Sequence, residues 1–288
     1  MPRSPLRNLS TPPSHSFQFS NELILFSFPP YLLDISWKAK RLPGMDIEVA
    51  EIAYDVDGVQ MVGLLAKPAG AGSLPGALVA HEAAGMSAHS KEVAKRLARL
   101  GIVALAYDYQ GDGAAKTDSA EVYQQLADWT ADPTPIVRRS EAALHQLLQQ
   151  EGVDPTRIAA LGYCFGGTAI LELARTGVSL AALIGFHPGL AKTRPAESAR
   201  INAPVLMFLG GLDEITPAEQ RRAFEDEMNA AGVDWRSMIF GRAGHSFTNP
   251  EADALNIPHV NYDATADSNS WQVALSFLRE MGVLQDGE

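Results

Sequence analysis

The chain has 288 residues, 46% of them hydrophobic and 20% charged, with 24 Gly and 18 Pro, which excludes collagen-like and wholly disordered chains and suits a large globular core. A formal charge of −11 without any dense Lys/Arg cluster argues against a nucleic-acid partner. One cysteine, Cys164, permits no internal disulfide and no cysteine-held zinc or iron–sulfur centre, so nothing calls for an oxidising compartment and a cytoplasmic location is expected.

Residues 1–44 hold seven of the prolines and seven serines, with five basic side chains against two acidic ones, leaving −14 for the remainder. They read as a disordered extension or an over-long start, with Met45 as the working initiator; Arg3, Arg7 and the scattered serines offer a transit peptide as the alternative. The apolar run 23–28 is far short of the ~20 residues of a membrane span, and Glu22 before it fits a secretory signal poorly, so no membrane contact is expected.

From Met45 the pattern is regular. Residues 49–56 and 59–65 alternate as two strands around the turn Asp57-Gly58, predicting an antiparallel hairpin. Residues 76–80, 102–107, 157–162, 180–186 and 204–209 are short apolar runs without alternation, as in a parallel sheet covered on both faces, and 235–240 forms a last strand. Between them, 90–100 places Val93, Ala94, Leu97 and Leu100 on one helical face, and 135–150 does so with Ile136, Ala143, Leu144 and Leu147. Further helices are expected at 166–176, 217–231 and 270–281, giving one α/β domain over 45–288.

The chemistry concentrates where the strand 157–162 runs into Gly162-Tyr163-Cys164-Phe165-Gly166-Gly167 and then a helix. This is a nucleophile elbow: a strained strand-to-helix turn projects the central side chain above the sheet, and crowding demands glycine two residues either side. The helix N-terminus then favours thiolate at Cys164, and the Phe165 N–H can face a developing oxyanion; the plainer alternative is a buried structural cysteine. Asp213 follows an apolar strand in Gly210-Gly211-Leu212-Asp213, with Thr216 the better cap for the helix at Pro217. His245 lies in the glycine-bounded loop after the last strand, so nucleophile, acid and histidine follow in the chain order of α/β-hydrolases. His15 lies in the extension, His89, His145 and His259 read as surface or loop residues, and His187, ending a strand, is the one placed to line a pocket. His81-Glu82 lacks the second histidine of a zinc-protease motif, because position 85 is Gly, so no metal is expected.

The segments around Cys164, Asp213 and Gly244-His245-Ser246-Phe247 together resemble the dienelactone hydrolase family over residues 45–288. The resemblance implies an α/β-hydrolase fold with a mostly parallel sheet flanked by helices, a Cys-His-Asp triad and no cofactor. It assigns to Glu82 a contact with the resting thiol, to the Ala83 N–H the second oxyanion donor, and to Tyr123 a place near the pocket. The family's enzymes hold a substrate carboxylate with two arginines, one four residues beyond the histidine and one four before the tyrosine; Asn249 and Ser119 stand there in this chain. Short spacings between elements leave no room for a large cap domain. The expected reaction is hydrolysis of a small-molecule ester or lactone through a thiol-ester on Cys164, by a site not tuned to an anionic dienelactone. Two alternatives stand beside it, a general carboxylesterase or thioesterase and a non-catalytic thiol-sensing or ligand-binding protein on the same fold.

Overall fold

The computed structural model describes residues 40–41, 47–70, 72–191 and 194–285. Alternation builds the hairpin first: β2 (Ile47–Val56) pairs antiparallel with β3 (Val59–Pro68), joined by Asp57 and Gly58 at φ 54° and 79°, the left-handed pair that a two-residue turn of matching twist requires. The unalternating runs become β4 (Leu74–Ala80), β5 (Val103–Tyr107), β6 (Val153–Tyr163), β7 (Ala182–Phe186) and β8 (Val205–Gly210), all parallel, with β9 (Trp235–Phe240) at the far edge. The sheet order is β1-β2-β3-β5-β4-β6-β7-β8-β9. The extension expected at 1–44 lies outside the described residues except for β1 (Lys40–Arg41), which pairs antiparallel with β2, so the sheet begins before Met45.

Helices cover both faces. On one side α1 (Ala88–Arg99) buries Val93 and Leu97, and α6 (Ala264–Glu280) buries Ala274 and Phe277. On the other, α3 (Thr134–Leu148), α4 (Phe165–Ala174) and α5 (Ala218–Ala231) contribute Ile136, Ile170 and Phe224 to a second apolar layer. This is an α/β/α sandwich, and among the described residues no cap domain interrupts it. The segment between β5 and α3 holds a helix that periodicity does not reveal: α2 (Ser119–Ala131) is capped by the Asp118 carboxylate and buries only Val122 and Trp129. The N-cap of α5 is Pro217, not Thr216, whose hydroxyl instead donates to the Pro188 carbonyl at 2.8 Å. Among the described residues no helix is long and apolar enough to cross a membrane.

Candidate active site

Strand β6 passes into α4 through Cys164 alone, whose φ of 54° and ψ of −123° lie where side-chain-bearing residues are disfavoured by about 1–3 kcal/mol. Such strain persists only where the surroundings enforce it, and here they do. A Cβ on Gly162 would lie 2.3 Å from the Gly166 carbonyl oxygen, and one on Gly166 would lie 2.4 Å from that of Ala80. Backbone packed on backbone thus holds a half-buried sulfur at the N-terminus of α4. The Phe165 amide, first in the helix, has no intrahelical partner and donates to no other group among the described residues.

Asp213 and His245 come from the loops after β8 and β9, at the same carboxyl edge of the sheet. The Asp213 Oδ1 accepts from the amides of Ile215 (2.8 Å) and Thr216 (3.0 Å), which fixes the carboxylate, and Oδ2 accepts from His245 Nδ1 at 2.8 Å. Both side chains are almost fully buried. The tautomer follows: Nδ1 carries a proton, and Nε2, buried without a hydrogen bond of ordinary geometry, has the Cys164 sulfur as its electrostatic neighbour. Burial lowers the basicity of His245, but the negative charge available at Cys164 and the Asp213 carboxylate outweigh it and raise the pKa to about 10.

His187 does not face open solvent. Its wholly buried ring lies against the Cys164 backbone: Nδ1 accepts from the Cys164 N–H at 3.2 Å, and Nε2 pairs with Thr248 Oγ1 at 2.8 Å. Burial, then the neighbouring His245 and His89, push its pKa well below the usual histidine value.

In the loop after β4, the Glu82 carboxylate is engaged by the start of α1. It binds His89 Nδ1 at 2.5 Å and Ser87 Oγ at 3.3 Å. Burial works against the charge, but the His89 hydrogen bond and charge prevail and lower the Glu82 pKa. The partner imidazole sits in the first turn of α1, two residues past the N-cap Ser87. His89, read from sequence as a surface or loop residue, is thereby largely buried, with 9% of its side chain exposed. Ala83 lies in the same loop, held by residues of the β5 loop that motif reading passed over: Tyr109, whose hydroxyl donates to the carbonyls of His81 (2.9 Å) and Glu82 (3.3 Å), and Gln110, whose amide donates to the Ala83 carbonyl. A usable signal was present, an acid followed by Tyr-Gln-Gly at the end of an apolar strand. Asp108 there accepts from the amides of Gln110, Gly111 and Gly113 and builds the turn.

Tyr123 is 59% exposed on α2, and Ser119 is exposed at the start of that helix. Asn249 is half-buried, next to Thr248, and lines a cavity of about 250 Å³ with His89, Arg96 and Asp267. Arg138 pairs with Asp57 on the surface, whereas Arg139 spans the carbonyls of Tyr109 and Gln110 with its guanidinium 5.6 Å from the Trp129 ring. Among the described residues no group of three His, Cys, Asp or Glu is placed to hold a metal ion.

A parallel sheet with a strained residue between strand and helix, and loops converging on it from the carboxyl edge, is the architecture of an α/β-hydrolase. The chain belongs to the dienelactone hydrolase family, whose sequence model matches residues 61–282. A solved dienelactone hydrolase-like promiscuous phosphotriesterase from metagenomic libraries is 37% identical, covering 82% of this chain and 99% of its own at a TM-score of 0.79. A Bradyrhizobium protein named as a probable 2-oxo-3-(5-oxofuran-2-ylidene)propanoate lactonase is 29% identical over 77% of this chain and 90% of its own. An uncharacterised Caenorhabditis elegans protein is 35% identical over 49% of this chain and 91% of its own. The family makes this chain a hydrolase of the ester or lactone type.

Proposed function

We propose that the chain hydrolyses a neutral ester or lactone through a covalent thiol-ester on Cys164. The proton shared between Cys164 and His245 Nε2 lies on the imidazole as sulfur attacks the carbonyl carbon, the Phe165 and Ala83 amides receive the oxyanion, and the collapsing intermediate expels an alkoxide that His245 protonates. Water, deprotonated by the same nitrogen, then attacks the thiol-ester and frees the acid and the thiol. Asp213 holds the imidazole in the tautomer this requires. The observation that carries the reading is the 2.8 Å bond from His245 Nδ1 to a fixed Asp213 carboxylate, which leaves a buried Nε2 with the sulfur as its neighbour. Asn249 and Ser119 in place of arginines favour an uncharged substrate. A neutral phosphotriester, the class named for the 37% identical solved structure, is the second substrate to assay on the same ground.

The test is a panel of lactones, aryl esters and phosphotriesters with wild type and Cys164→Ala, together with mass spectrometry of the quenched wild-type enzyme. An acyl adduct confined to Cys164, and loss of turnover in a folded alanine variant, are expected. Full activity in that variant would overturn the reading.

A further inference from the structure

We propose that His81 and Tyr109 are positioning residues that aim the Ala83 amide as the second oxyanion donor, which deepens the function proposed above and rests on it. The peptide joining Glu82 to Ala83 is trans, so its C=O and N–H lie in one plane and point in opposite directions. Whatever holds the carbonyl therefore directs the amide. Three groups hold it: His81 Nδ1 at 2.6 Å, the Gly85 amide at 3.1 Å and, at 3.3 Å, the Tyr109 hydroxyl, whose one proton is shared with the His81 carbonyl at 2.9 Å in the peptide before. The next two carbonyls are also tied down, that of Ala83 by the Gln110 side chain and that of Ala84 by the Lys116 amide at 2.6 Å. Three successive carbonyls thus anchor to the loop following β5, and no peptide among them can rotate without losing a bond. The Ala83 N–H, bonded to nothing among the described residues, is left pointing away from that anchor.

The two aromatic residues are built for this grip. A carbonyl can only accept, so His81 Nδ1 must carry a proton, while Nε2 faces the Tyr109 amide at 3.4 Å and Asp108 Oδ1 at 3.7 Å. The rings stack at 3.9 Å with 14° between their planes, and both are fully buried. Tyr109 also lies 6.2 Å, ring to ring, from Phe165, the residue that supplies the first oxyanion amide, so its side chain packs beside that of the other donor residue. Burial, followed by the negative charge at Cys164, keeps its phenol protonated and able to donate. Oxyanion stabilisation depends on donors fixed before charge develops, and a carbonyl gripped from three sides fixes one.

Tyr109→Phe tests this, because the ring and its stacking remain and only the hydroxyl is removed. For ester hydrolysis kcat should fall roughly 10- to 100-fold while KM stays within about two-fold, the signature of an interaction made in the transition state. Alkylation of Cys164 by iodoacetamide, which generates no oxyanion, should keep its wild-type rate. His81→Asn, whose amide nitrogen falls near the position of Nδ1, should retain more of kcat than His81→Ala. Full kcat in Tyr109→Phe would overturn the proposal, and so would an alkylation rate that falls in step with kcat, since the phenol would then serve the sulfur. Should the His81 variants fail to fold, Tyr109→Phe decides alone. A wild-type enzyme whose activity survives Cys164→Ala would remove the underlying reading, and this proposal with it.

Discussion

The Cys164 amide donates at once to the Phe186 carbonyl at 3.0 Å and to His187 Nδ1 at 3.2 Å, so the residue carrying the sulfur is tied through its backbone by an imidazole that has to be neutral. With its folded pKa depressed by burial, His187 takes up protons more readily in the unfolded chain, and its contribution to stability is present above about pH 6.5 and lost as the pH falls below it. Thermal denaturation between pH 7 and 5 should show a decline of at most about 1.4 kcal/mol per pH unit from this group. His187→Asn, which keeps a hydrogen-bonding group near Nδ1 but does not titrate, should show a shallower decline; an identical slope would assign the effect elsewhere.

His245 behaves in the opposite sense. Its folded pKa is raised to about 10, so the stability it contributes is fully present below about pH 6.5 and lost as the pH rises through about 10. Asp213→Asn removes one of the two negative neighbours, and nitrogen NMR of the imidazole should find its pKa shifted down. Because an amide can present the wrong partner to Nδ1, kcat should drop roughly 10²- to 10⁴-fold. An unshifted titration would mean that the carboxylate is not what holds the proton.

Substrate charge offers a third measurement. A charge-assisted hydrogen bond contributes about 1.5–3 kcal/mol against about 1 for a neutral one, so two absent arginines weaken recognition of an anionic substrate by roughly one to three powers of ten. Neutral lactones or aryl esters should therefore have higher kcat/KM than matched carboxylate-bearing analogues, and Asn249→Arg should narrow the gap. Arg139, already engaged with two carbonyls and set near Trp129, is the cation to remove if the anion is preferred instead, with a steep salt dependence marking that outcome.

The fourth concerns stability away from the site. Arg175, on the C-terminal end of α4, bonds Glu172, Glu227 and Ser198, all buried, and Arg194 closes on Glu172 from outside, so the short 3-10 helix Pro195–Arg200 and α5 are fastened to the helix that carries the elbow. Arg175→Met leaves Glu227 without its cation and should destabilise the fold by about 3–5 kcal/mol, or roughly 10 °C in Tm. Calorimetry of that variant beside Arg175→Met/Glu227→Leu separates the penalty of an orphaned charge from the worth of the pair, for the double variant should recover part of the loss.

How much was legible in the sequence depended on how local the determinant was. The hairpin around Asp57-Gly58 and the buried strands could be read because turn chemistry and unbroken apolar runs are written into consecutive residues. The elbow could be read for the same reason, since the crowding of Gly162 against Gly166 is a contact across four positions. Helix α2 was missed because two buried side chains in thirteen residues produce no apolar period. The pairing of Glu82 with His89, and the grip of Tyr109 on the Glu82 carbonyl, were not legible, as each joins separate elements and depends on rotamers that spacing does not specify. Thr216 looked like a cap on propensity alone, and its hydroxyl was claimed by a carbonyl from another loop.

The half-exposed sulfur at the elbow has a further consequence in oxidative chemistry. Cys164 is the only thiol among 288 residues, so a sulfenic acid formed there has no second cysteine in the chain to capture it as a disulfide. Return to the reduced state then needs a thiol from solution, and prolonged exposure to peroxide carries the same atom on to the sulfinic and sulfonic acids, which no small thiol reverses. Mass added to the intact protein by peroxide and reversed by a small thiol consequently reports on one sulfur and on no other.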